Sequence, residues 1–262
     1  MRVRGLVGVV LAVASALPLL APSVYVVPAP LPPLHVDHAV DPPVVSDSLG
    51  RQTLLRGVNV NSLGDYWQAN PKYPAVVPVT GADWDRMAAQ GFDVVRLLIS
   101  WSTLEPQRGR FDRAYLSRIA SAVDAASARG IYTVIDMHQD AWGKYIATPR
   151  DVTCPEGTQP AKGWDGAPRW ATLTAGFDTC TPGGREASPA AREAWRAFYA
   201  NDRGIRGELV KAWGVVASAF RTEPAVAGYD LLNEPNRLSD ALSNKRLWQL
   251  SNLRNRLCQP ND

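Results

Sequence analysis

The stretch Ala225-Val226-Ala227-Gly228-Tyr229-Asp230-Leu231-Leu232-Asn233-Glu234-Pro235 decides how this chain is read. Val226 to Leu232 is short and apolar, lacks a helical period and lies between Pro224 and Pro235, so it reads as a buried strand of a parallel sheet. Pro235 has no N–H and stops the ladder. Asn233 and Glu234 then project from the strand's carboxyl end, where α/β barrels line their sites. An amide followed by a carboxylate at that place is a candidate for chemistry.

Working outward, helical sequence precedes this strand from Gly204 to Phe220 and from Pro189 to Tyr199. Further back, Ile131 to Asp136 reads as a strand that follows Gly130, a residue suited to the left-handed end of a helix. Asp112 caps that helix, and Leu116, Ile119, Ala120 and Val123 share its apolar face. Phe92 to Ile99 is another strand, preceded by a helix from Ala82 to Gln90 that Gly91 closes. Gln52 to Val60 is the first of the series, after a turn at Asp47-Ser48-Leu49-Gly50-Arg51 and two short strands, Leu34-His35-Val36 and Val44-Val45, expected to form a small lid hairpin. Four strand–helix repeats imply a parallel sheet, which right-handed crossovers allow to be open or closed into a barrel.

The 262 residues are 46% hydrophobic and 20% charged with net charge +3, the composition of a globular protein. Lys and Arg are scattered, so no nucleic-acid partner is expected. Arg2 and Arg4 before an apolar run from Gly5 to Leu17, with Ala14-Ser15-Ala16 as a small-residue cleavage site, predict an export signal over residues 1–16. The apolar character persists to Val27, so an uncleaved anchor has the same features. Residues 17–33 read as a Pro-rich linker, and the folded domain as residues 34–262.

Arg96, His138, Asp140, Asn233 and Glu234 all fall at or beyond strand carboxyl ends and so on one rim. No G-x-G-x-x-G follows the first strand, which argues against a dinucleotide fold, and no G-x-S-x-G elbow is present. No metal is expected, because His138 and Asp140 should face opposite sides of an extended segment and the other histidines, His35 and His38, lie near the linker. The stretch from Trp142 to Ser188 is too long for an ordinary connection and reads as a functional loop. It holds Cys154 and Cys180, which pair if the chain is exported, and leaves Cys258 odd.

Leu55-Arg56-Gly57-Val58-Asn59-Val60-Asn61-Ser62-Leu63-Gly64-Asp65-Tyr66-Trp67, Val95-Arg96-Leu97-Leu98-Ile99-Ser100-Trp101, Asp136-Met137-His138-Gln139-Asp140-Ala141-Trp142-Gly143 and Leu232-Asn233-Glu234-Pro235, in that order, carry a resemblance. From Leu34 to Pro235 the chain resembles the family 5 glycoside hydrolases, specifically their endoglycoceramidase-like branch. The resemblance implies a (β/α)8 TIM barrel, no cofactor, and retaining hydrolysis of β-glycosidic bonds by exported enzymes acting on glycolipids, steryl glucosides among them. Such an enzyme's partners are a glycolipid or β-glycoside and a membrane surface. By position, Glu234 matches the acid/base and Asn233 the amide that bonds the sugar 2-hydroxyl. Arg96 matches the arginine that orients the nucleophile, unless it pairs with a structural acid. His138 and Asp140 match positions facing the sugar, and Trp67, Trp164 and Trp170 are expected to form an apolar rim for the lipid.

A retaining glycosidase needs a second carboxylate about 5 Å from the first. The family's nucleophile belongs near the end of a seventh strand, whereas Asn236 to Asp262 is polar, has a helix-like stretch from Leu238 to Leu253 and offers no strand ended by Glu. The expectation is therefore a TIM barrel truncated to about its first four β/α units, with the nucleophile absent. A chain that binds glycolipid or carbohydrate without turnover and an inactive truncated product fit the same residues.

Overall fold

The structure, a computed structural model, describes residues 30–70 and 72–236. The export signal, the linker up to residue 29, the helix-like stretch from Leu238 and Cys258 lie outside these residues. Among the described residues, no helix is long and apolar enough to cross a membrane.

The chain opens with an antiparallel hairpin of β1 (Leu34–Asp37) and β2 (Val44–Asp47). It does not cover the rim as a lid. The Tyr132 hydroxyl, at the amino end of a central strand, donates to the Pro32 carbonyl at 2.7 Å, so the hairpin sits against the opposite end of the sheet. Leu31 packs on the core, so ordered packing begins inside the stretch read as linker.

The central sheet is parallel and contains β3 (Gly57–Leu63), β4 (Val94–Ser100), β5 (Tyr132–His138) and, after two short strands β6 (Gln159–Pro160) and β7 (Cys180–Thr181) in the long loop, β8 (Val226–Asp230). Its order is β3-β4-β5-β8, the order of the sequence. Strand β3 starts at Gly57 and not Gln52, because the backbone N–H of Arg56 is taken by the Asp93 side chain at 2.6 Å and not by a neighbouring strand. Register sets the chemistry of the inner face: Arg96 pairs with Val134, and Leu98, Asp136 and Asp230 form the next row.

The helices are α1 (Gly81–Ala89), α2 (Trp101–Leu104), α3 (Arg113–Ser127), α4 (Pro189–Ala200) and α5 (Ile205–Ala219). A Thr80–Asp83 capping box starts α1, Asp112 accepts from the Tyr115 N–H to start α3, and Ser188 with Pro189 starts α4. Asn201 ends α4 at φ +59°, a left-handed conformation that asparagine tolerates. One face of β4, Val95, Leu97 and Ile99, is fully buried in a core cluster that also holds Ile119, Val123 and Ala126 of α3 and Leu209, Ala212 and Val216 of α5. Burying side chains of this size stabilises by about 1.5–3 kcal/mol each. The aliphatic core thus lies between sheet and helices, and the polar groups are left for the inner face and the carboxyl rim.

Candidate active site

At the end of β5, the Asp136 carboxylate is fully buried, with Oδ2 2.7 Å from His138 Nδ1. Its Oδ1 lies 3.1 Å from the Arg96 guanidinium, an ion pair without hydrogen-bond alignment. The chain then leaves the ladder, with Ala141 and Trp142 at φ +51° and +72°. This turn overturns the expectation that His138 and Asp140 face apart: Asp140 Oδ2 comes to 3.6 Å from His138 Nε2, and Oδ1 is held by Arg185 at 2.9 Å.

At the end of β8, Arg96 donates to Asp230 Oδ2 at 2.7 Å and to Asn233 Oδ1 at 3.0 Å. The Asn233 amide nitrogen donates to the Gln139 carbonyl at 3.0 Å and lies 3.5 Å from His138 Nε2. Gln139 closes the seam by donating to the Asn233 and Glu234 carbonyls at 2.6 and 3.1 Å. Among the described residues Arg96 thus binds two acids and the amide of its own half-barrel. Glu234 is exposed at φ +37°, a conformation uncommon for a residue with a Cβ. Its carboxylate makes no hydrogen bond or ion pair among the described residues.

The long loop brings a further acid to this place. Asp165 is fully buried, and neither carboxylate oxygen has a hydrogen-bond partner among the described residues. Its carbonyl accepts from the Asp140 N–H at 3.1 Å, and that of Gly166 accepts from the Ser102 N–H at 2.8 Å. Gly166 makes the approach feasible, since a Cβ there would lie 2.6 Å from the Trp142 carbonyl oxygen. Cys154 and Cys180 are bonded, as expected, and close the ring of chain that contains Asp165. Trp164 is 37% exposed, with Arg185 over its ring and Tyr66 against its edge, and its carbonyl accepts from the Trp67 N–H at 3.0 Å. Trp170 is not a free rim residue: its indole N–H donates to the Glu105 carbonyl at 3.0 Å and its ring packs edge-on against Trp101. Asp165 and Arg185 escaped the sequence reading because a loop has no period, and Gln139 was read only as part of a motif; the signal open to inspection was Asp165 beside Gly166 and Ala167.

Burial pushes the His138 imidazole down, but Asp136, Asp140 and the charge of Asp165 outweigh it and raise it to about 9. Burial also lifts the Asp165 carboxyl to about 7 against the pull of His138. Asp140 is held low despite its burial, by His138 and Arg185. His138, Asp140 and Asp165 each bring a donor atom within 4.8 Å of the others. With His138 raised and Asp140 held low, the three form a charge cluster in which the imidazole would have to give up a proton to ligate a metal.

A family model described as cellulase, glycosyl hydrolase family 5, matches residues 47–258. Endoglycoceramidase I of Rhodococcus hoagii is 33% identical over 192 residues, 72% of this chain and 35% of that one. A crystal structure of an endogalactoceramidase superposes with a TM-score of 0.75 at 55% identity, over 79% of this chain and 45% of the other. Endo-glycoceramidase II from Rhodococcus sp., in complex with ganglioside GM3, gives 0.64 at 30% identity over 80% and 47%. The chain thus spans less than half the length of these relatives, and its parallel sheet with helices is part of a barrel. On the family match and these likenesses, the chain belongs to the cellulase family, glycosyl hydrolase family 5.

Proposed function

We propose that the chain is the acid/base-bearing half of a retaining β-glycosidase that cleaves the sugar from a glycolipid. The observation that carries this is the end of β8, where Arg96 and Gln139 fix the Asn233 amide while the next residue, Glu234, is exposed with a carboxyl that has no partner among the described residues. In this reading the Asn233 amide bonds a sugar hydroxyl, and His138 and Asp140 bond others. Glu234 protonates the departing glycosidic oxygen while a second carboxylate attacks the anomeric carbon; Glu234 then takes the proton from the water that releases the sugar. We assign the second carboxylate to the part of the relatives that this chain does not match. The relatives' names point to ceramide-linked glycans, and exposed Trp164, whose carbonyl holds the Trp67 N–H, suits a lipid-facing rim. Export, by the signal read in residues 1–16, and work at a membrane surface complete the proposal.

The test is a splice. Residues 1–236 are joined to the part of the endogalactoceramidase that follows its matched segment, and the product is assayed on a fluorescent glycosphingolipid and an aryl β-glucoside. Turnover is expected, with Glu234→Gln reducing it on the glycosphingolipid by about 10²–10⁴-fold and less on the aryl glucoside, whose leaving group needs no proton. Equal loss on both substrates would remove Glu234 from the acid role. Turnover by the 262-residue chain alone would refute the assignment of the nucleophile.

A further inference from the structure

Four carboxylates and three cations meet beside the rim. Around His138 stand Asp136 and Asp140 from β5 and the turn after it, Arg96 from β4, Asp230 from β8, and Asp165 and Arg185 from the long loop. The phenol of Tyr66, on the chain after β3, also senses Asp165 and stays neutral, pushed up chiefly by its own burial. Every other carboxylate of the set has an assigned cation: Asp136 has His138 and Arg96, Asp140 has Arg185, and Asp230 has Arg96. Asp165 alone is fully buried with two unpartnered oxygens, and its position is fixed by backbone bonds and not by its own side chain.

A buried carboxylate without hydrogen bonds is expensive, and it persists either by taking a proton or by facing a positive charge. Here both are available. With all four acids ionised the set carries one negative charge in excess. A proton on Asp165 makes it neutral, and the nearest cation without a second strong partner is His138, whose Nε2 has only the 3.6 Å approach of Asp140 and the 3.5 Å approach of Asn233.

We infer that Asp165 is a positioning residue of the sugar pocket: carried to His138 by the disulfide-closed loop, it completes a carboxylate cage that keeps the imidazole protonated, so that Nε2 offers sugar hydroxyls an N–H. The directions of titration agree. As pH rises through about 7 Asp165 loses its proton, and the new charge holds the proton on His138 up to about 9. The pocket therefore keeps one hydrogen-bond polarity across the neutral range. The second half of the inference, that Nε2 meets the sugar, rests on the proposed function; the first half does not.

The chain has three histidines, and His35 and His38 are exposed on the hairpin, so imidazole ¹⁵N spectra of the 262-residue protein resolve His138 directly. His138 should carry protons on both nitrogens through neutral pH, and Asp165→Asn should lower its titration midpoint by about one unit. An unmoved midpoint in a variant with the parent's circular dichroism overturns the cage. Should Asp165→Asn not fold, the unsubstituted protein decides: the ¹³C carboxyl titration of Asp165 must be mirrored in the His138 ¹⁵N shifts, and independence of the two overturns the proposal. Binding of methyl β-galactoside and methyl β-glucoside, followed by the same spectra, should weaken above the His138 midpoint. A cage confirmed by NMR with no such step in binding overturns the sugar contact of His138 and leaves the cage standing.

Discussion

The end of β5 and the end of β8 contribute to one rim but are built differently. Asp136, His138 and Asp140 are buried, each side chain held by at least one charged partner within 3.6 Å. Glu234 is exposed on a left-handed backbone position, with only its carbonyl bonded among the described residues. Groups that recognise a ligand must be fixed before it arrives, since ordering them on binding costs affinity. Here this half-barrel holds the groups proposed for recognition by its own ion pairs. The group expected to move a proton lacks such a frame within the described residues, in keeping with a site whose other wall is supplied from elsewhere.

The contrast predicts unequal costs of mutation. Asp136→Ala leaves His138 and Arg96 without their buried counter-charge and should destabilise by about 3–5 kcal/mol, whereas Glu234→Ala should change stability by less than about 0.5 kcal/mol; urea midpoints measure both. The Asp136 penalty should depend on pH in a defined sense. His138 is raised from 6.5 to about 9, so its stabilising contribution is complete below 6.5 and lost as pH rises through 9. Asp136→Ala should therefore cost more at pH 6 than at pH 10, and an equal cost at both would detach the two residues.

Opening the Cys154–Cys180 bond by Cys180→Ser should lower stability by about 3 kcal/mol in the chain-entropy model for its 26-residue separation. It should also broaden the His138 imidazole signals while leaving Tyr229, on β8, sharp. Broadening of both would merge the two regions into one cooperative unit.

The smallest effects separate two tryptophans. Trp164→Ala should weaken glycolipid binding by about 0.5–1.5 kcal/mol with stability little changed. Trp170→Ala should instead lower the melting temperature, because its ring and N–H are committed to Trp101 and Glu105. The reverse pattern would return Trp170 to the rim.

The regular part of this fold was legible. Strands β4, β5 and β8 fall within two residues of their predicted bounds, and Asp112 and Gly130 cap and terminate as their chemistry requires. The periodicity read as a strand from Phe92 to Ile99 covers Arg96, which lies third in β4 and not at its carboxyl end as expected. It failed wherever the chain left a repeat: at Gln139–Asp140, where a turn folds Asp140 back onto His138, and in the long loop, where Asp165 and Arg185 come from positions with no pattern to betray them. Trp170 was assigned by composition, and only contacts could show that its indole faces Glu105.

The strand order β3-β4-β5-β8 also has a meaning in time. Each strand emerges during synthesis to find its neighbour already made, so the sheet can be laid down in reading order, with no strand waiting for a partner not yet translated. The cage around Asp136 and His138 assembles in the same pass, once the loop bearing Asp165 has followed β5. What is left waiting is the outer edge of β3, the first strand of the sheet to appear, whose second neighbour in a closed barrel would be the last.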